Sequence, residues 1–126
     1  MPRKRRAGLY ARVSTADQQT LPLQTSAMRE YADRRDWIVT VSIEDVGSGA
    51  KERPKRQELI KLAKRRQIDV ILVWRLDRWG RSVTDLIGSL QKLTSIGVSF
   101  VSVTEALDLG SPSGRALVGM LYVFSE

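Results

Sequence analysis

Between Asp69 and Trp74 the chain runs Val70-Ile71-Leu72-Val73 without a polar residue. A strand apolar at every position has no solvent face, so both its sides must be covered, as in the centre of a parallel sheet. Parallel neighbours in turn require crossover connections, usually helices. The flanking sequence supplies them in alternation. Leu9 to Val13 reads as a first strand and Ser14 to Thr20 as a loop. A helix follows from about Pro22, with Leu23, Ala27, Met28 and Tyr31 on one face. Trp37 to Ile43 reads as a second strand, and Gly47-Ser48-Gly49 as a flexible break. Pro54 suits the first turn of a helix reaching Arg66, with Leu59, Ile60 and Ala63 facing inward. After the central strand, Ser82 is placed to cap a helix with Asp85 three residues on. Val83, Leu86, Ile87, Leu90 and Leu93 repeat along it at helical spacing, and Gly97 stops it. Val98 to Val103 is a fourth strand. The expectation is an α/β fold, a mainly parallel four- to five-stranded sheet flanked by helices, in one domain spanning residues 1–126.

In open parallel sheets, ligands bind beyond the carboxyl ends of the strands. Alternation along the first strand sets Tyr10, Arg12 and Ser14 on one side, opposite Leu9, Ala11 and Val13. Asp77, Arg78 and Arg81 leave the third strand, while Asp45 and Arg53 lie in and beyond the loop after the second. Glu105 and Asp108, after the fourth, read as surface charges. Arg12 does not, because an arginine beside a core is costly to bury without a partner or a purpose. A hydroxyl thus stands among guanidinium groups, whose planar forks match phosphate oxygens and keep their charge at any physiological pH. That pattern points to phosphoryl transfer. The chain has neither cysteine nor histidine, which excludes disulfides, zinc sites of the usual ligand types and imidazole-dependent triads. For the general base, Asp77, water and an arginine remain open.

Lys and Arg number 21 against 14 Asp and Glu, a net charge of +7, and this balance favours a polyanionic partner, nucleic acid foremost. Lys61, Lys64, Arg65 and Arg66 read as a solvated helix face. The arm Arg3 to Arg6 reads equally as a phosphate contact or as a free basic terminus. No apolar run approaches the ~18 residues of a membrane span. The basic start is followed only by the short run Ala7 to Val13, which is no signal peptide, so a cytoplasmic location is expected.

Tyr10-Ala11-Arg12-Val13-Ser14-Thr15, Leu76-Asp77-Arg78-Trp79-Gly80-Arg81, and Gly47-Ser48-Gly49 followed by Arg53 together resemble the nucleophile motif, the arginine motif and the mobile loop of the serine recombinases, the resolvase and invertase family. The resemblance runs from about Ala7 to the last residue. It implies a site-specific recombinase catalytic domain in which Ser14 attacks a DNA phosphodiester, forms a covalent 5′-phosphoserine and frees a 3′-hydroxyl, without metal, ATP or other cofactor. It implies that Arg12, Arg53, Arg78 and Arg81 clamp the scissile phosphate and that Asp77 orients an arginine or helps move protons. Gln19 and Gln24 match family glutamines near the nucleophile, and with Tyr10 they are expected to contact DNA or its phosphate. Trp79 stands where the family has an aliphatic residue or phenylalanine, a departure expected to affect packing more than chemistry.

Ser113 to Glu126 reads as a helix with Leu117, Met120, Leu121 and Phe124 on one face, and with Val118, Tyr122 and Val123 making its other side apolar too. The surplus is expected to pack on another subunit, giving a homodimer or homotetramer. By resemblance the chain stops inside the long dimer helix and lacks the downstream DNA-binding region. Two other classes compete: a non-catalytic DNA-binding module and a phosphate-binding regulator of a mobile element. Neither explains Ser14, and the regulator should carry a longer glycine-rich loop or a Walker lysine.

Overall fold

The computed structural model describes residues 4–47, 54–80 and 82–125. Arg53, Arg81, Ser48 and Gly49 lie outside the described residues. Strand β1 (Arg6–Val13) sits between β2 (Ile38–Val46) and β3 (Val70–Val73), and β4 (Ser99–Ser102) and a two-residue β5 (Leu107–Asp108) complete a five-stranded sheet in the order β2-β1-β3-β4-β5. All pairings are parallel except that of β5 with β4. The helices are α1 (Leu21–Arg34), α2 (Pro54–Lys64), α3 (Val83–Ser95) and α4 (Pro112–Ser125). The expected α/β class and mainly parallel sheet are what the chain forms.

The two faces of the sheet are covered unequally. On one side Met28 and Ala32 of α1 pack on Ala7, Leu9, Ala11, Val70, Leu72 and Val101. On the other, Leu59, Ile60 and Ala63 of α2, Leu90 and Leu93 of α3 and Val118 of α4 pack on Tyr10, Ile71, Val73 and Phe100. The alternation of β1 and β3 therefore sorts side chains between two cores, and every residue of Val70–Val73 is buried.

Several local expectations need correction. Residues Thr15–Thr20 form a 3-10 helix instead of a loop. Leu23 is exposed, and the inward stripe of α1 is Gln24, Met28 and Ala32, because a buried glutamine occupies the position an apolar pattern would skip. Strand β2 extends to Val46, so Asp45 belongs to the strand itself. On α4, Leu117 and Met120 face outward and Val118 faces the core, while the side chains of Leu121, Tyr122 and Phe124 lie outside the described residues. Trp79 is fully buried, edge-on to Tyr10 with ring centroids 5.3 Å apart, and its indole donates to Ser89 Oγ at 2.8 Å, so its role is packing, as expected.

Candidate active site

Strand β1 delivers Ser14 at its exit, in extended geometry and half-buried, where the chain turns into the 3-10 helix. Among the described residues the Ser14 hydroxyl makes no cap bond to this helix. Its carbonyl accepts from the Asp17 amide at 3.1 Å, so the turn folds Asp17 back toward the strand end. The register of β1 with β3 pairs Tyr10 with Val73. Continued past the strand ends, it sets Ser14 level with the second 3-10 helix, Leu76–Arg78.

Two arginines cross between these turns in opposite directions. Arg12, 9% exposed, donates to the Gly47 carbonyl at 3.1 Å and to the Asp77 carbonyl at 3.4 Å, reaching from β1 to the turn after β3. Arg78 reaches back, with its guanidinium 3.8 Å from the Asp17 carboxylate and 3.8 Å from that of Asp77. At 3.8 Å these are ion pairs without hydrogen bonds. Among the described residues the Nε atoms of Arg12 and Arg78, like that of Arg56, are buried with no hydrogen-bond partner. Cationic donors left unspent in this way suit an incoming anion with several acceptor oxygens.

Carboxylates frame the site. Asp77 is half-exposed and its Oδ2 accepts from Arg75 at 2.7 Å. Asp17 also accepts from Thr20 Oγ1 at 3.3 Å. Asp45, buried, accepts from the Tyr10 hydroxyl at 2.7 Å and from the amides of Arg56 at 3.2 Å and Lys55 at 3.4 Å. A carboxylate at a helix start satisfies orphan amides and favours the dipole, so Asp45 anchors α2 directly after the segment that contains Arg53. Glu105 is more than a surface charge. It accepts from the Leu76 amide at 3.2 Å and from Ser102, pinning the β3 exit to the β4 exit.

The expected site residues thus divide. Ser14, Arg12, Asp77 and Arg78 are brought together at the ends of β1 and β3. Gln19 is exposed on the 3-10 helix. Gln24 is fully buried, donating to Thr20 Oγ1 at 3.2 Å and to the Arg12 carbonyl at 3.5 Å, so it braces the strand exit and cannot touch DNA directly in this conformation. Tyr10 is likewise out of reach of DNA in this conformation, being fully buried with its hydroxyl donating to Asp45. Arg53 and Arg81 lie outside the described residues. Asp17, Asp45, Arg56 and Glu105 were not singled out as site residues. For Asp17, the three-residue spacing from Ser14 at a short turn is the signal that could have found it.

Residues 7–126 match the family model described as the resolvase N-terminal domain. The chain belongs to the resolvase N-terminal domain family. It is 33% identical over 118 residues to a DNA-invertase of Escherichia phage P1 and 39% identical over 120 residues to the transposon Tn552 DNA-invertase BinR of Staphylococcus aureus. Each alignment covers 93% of this chain but only 59% and 58% of those proteins. Among solved structures, the N-terminal catalytic domain of TP901-1 integrase superposes with a TM-score of 0.87 at 32% identity, covering 95% of this chain and 93% of that one. A resolvase family site-specific recombinase from Streptococcus pneumoniae superposes with a TM-score of 0.86 at 25% identity, covering 97% and 86%. The resolvase-family fold therefore accounts for the whole described sheet. Within it, the pair of crossing arginines belongs to the sheet's carboxyl edge, where α/β folds place their ligands.

Proposed function

We propose that this resolvase-family chain is, over residues 1–126, the catalytic domain of a DNA recombinase that cuts and rejoins strands through Ser14. In this reading Ser14 Oγ loses its proton and attacks the phosphorus of a DNA phosphodiester. The P–O3′ bond breaks, the 3′-oxygen takes a proton, and the 5′-phosphate stays on the serine. Attack by a 3′-hydroxyl on that phosphoserine reverses the sequence and frees Ser14. One phosphoester replaces another at each step, so the exchange needs no external energy source. Arg12 and Arg78, with Arg53 and Arg81, stabilise the charge that develops on the phosphate oxygens, an effect worth about 3 kcal/mol per well-placed donor. Asp17 and Asp77 hold the Arg78 guanidinium until the phosphate displaces them. Gln19 contacts the DNA backbone.

The observation that carries this reading is the opposed reach of Arg12 and Arg78 across the turn that begins at Ser14, with donors left over. The partner is DNA, in keeping with the net charge of +7, and the place of action is the cytoplasm of a bacterium. The outer face of α4, where Leu117, Met120 and Val123 are exposed, packs on a second copy. No described helix is long and apolar enough to cross a membrane.

The test uses the full gene product and a random-sequence library of nicked duplexes. Covalent complexes that survive denaturant are recovered and the modified peptide is mapped. The expected result is a phosphodiester remnant on Ser14 and none with Ser14→Ala. An adduct on another residue, or an undiminished yield from Ser14→Ala, overturns the assignment.

A further inference from the structure

Arg56, in the first turn of α2, is 3% exposed and has no part in the proposed chemistry. Its guanidinium grips Asp85 with both prongs, at 2.8 and 3.0 Å, and also donates to the Trp79 carbonyl at 2.7 Å. Its charged carbon lies 5.3 Å from the Trp79 ring centroid. One side chain therefore joins three backbone segments: the start of α2, the residue directly after Arg78, and the first turn of α3. The connection closes on itself. The Arg56 amide donates to Asp45, Asp45 accepts from the Tyr10 hydroxyl, and Tyr10 meets Trp79 edge-on. Tyr10 in turn lies on β1, two residues before Arg12 and four before Ser14.

Stability alone does not account for a buried ion pair at this point. Desolvating two charges offsets most of their attraction, and an apolar pair of similar volume is often as stable. A two-pronged arginine–carboxylate contact instead fixes orientation as well as distance. We infer that Arg56 and Asp85 are a positioning pair that holds the Arg78-bearing turn in register with strand β1, so that Arg78 meets the phosphate at Ser14. The inference rests on the recombinase reading above.

The test compares single-turnover adduct formation at saturating DNA, per folded molecule, in the full gene product and its variants, on a duplex recovered from the library. The double variant Arg56→Met/Asp85→Asn removes both charges of the pair together. Arg56→Lys keeps the charge but gives up the fork, and it serves if the double variant does not fold. The expected result is a rate lowered by about fivefold or more in the folded variant with DNA affinity within about twofold of the parent, the pattern of lost transition-state stabilisation. A smaller loss of rate, or a defect confined to affinity or to melting temperature, overturns the positioning role. Absence of a Ser14 adduct in the parent protein sinks the recombinase reading and this inference with it. A normal parent adduct beside unimpaired variants sinks only the inference.

Discussion

In the proposed mechanism, Arg78 is the residue on which binding and catalysis separate. Its two carboxylate neighbours sit at 3.8 Å, too far for directed hydrogen bonds, so a phosphate gains more from it than they do. Arg78→Ala is expected to slow adduct formation by roughly 100-fold at saturating DNA while weakening affinity far less. Full recovery of the rate at low salt would assign Arg78 to general phosphate attraction instead. Tyr10→Phe tests the reassignment of Tyr10 to the core. Losing the bond to Asp45 should cost about 1 kcal/mol of stability, read from denaturant melts, with DNA affinity unchanged. Ser14 and Arg12 were legible because strand alternation places them together at a sheet edge. Alternation also set Tyr10 on the correct side, opposite Leu9 and Ala11. But it assigns a side of the sheet and carries no depth, so it could not correct the DNA contact that the resemblance implied for a residue buried between covered faces. Asp45 and Glu105 stood out as charges near the strand ends, but their roles did not, because their partners, Tyr10 for the one and Leu76 for the other, are 35 and 29 residues away.

The helices of this fold end alike although their sequences do not. After α1, α2 and α3 the amides of Trp37, Gln67 and Val98 bond back to the carbonyls of Ala32, Leu62 and Leu93 at 3.0 Å. Each ending passes through a left-handed residue, and these are Asp36, Arg66 and Gly97, at φ 59°, 57° and 80°. Only the glycine announces itself in the sequence. At Arg66 a side chain is held where glycine is at ease, so Arg66→Gly should raise stability by about 1 kcal/mol, seen as a higher denaturant midpoint at unchanged slope. An unchanged or lower midpoint would show that the arginine side chain contributes more than the backbone strain costs. The start of α3 was readable from sequence: the Asp85 amide donates to Ser82 Oγ at 3.1 Å, the cap expected there. The buried stripe of α1 was not, because its first inward residue is Gln24, whose amide answers the backbone of β1. Hydrophobic spacing is blind to a polar side chain satisfied by a neighbouring strand.

Across the molecule, positive charge and apolar surface occupy different places. Lys92 beside Lys64 holds the Lys64 ammonium below its ordinary value, a sign of cations crowded on the outer ends of α2 and α3. Among the described side chains of α4, Leu117, Met120 and Val123 instead form an outward apolar row, 47%, 58% and 66% exposed. Met120→Glu is expected to shift the protein toward monomer in sedimentation without altering its melting temperature in dilute solution. Retained assembly would move the proposed contact off this face. The apolar surplus of α4 was legible in composition, but which row faces the core was not, because both rows are hydrophobic and the deciding contact is made by a residue with no side chain. At Gly114 a Cβ would stand 2.0 Å from the carbonyl oxygen of Asp108, far closer than a side-chain carbon can approach. The start of α4 is thus clamped on β5, and Val118 one turn later is its next anchor. A rod held at one end works as a lever. At about 1.5 Å per residue, the stretch beyond the second anchor, from Val118 to Ser125, is an arm of about 10 Å, and a tilt of about 10° at the clamped end swings its far end by about 2 Å. The width of one missing methyl group at the fulcrum therefore sets where the distant end of the arm points.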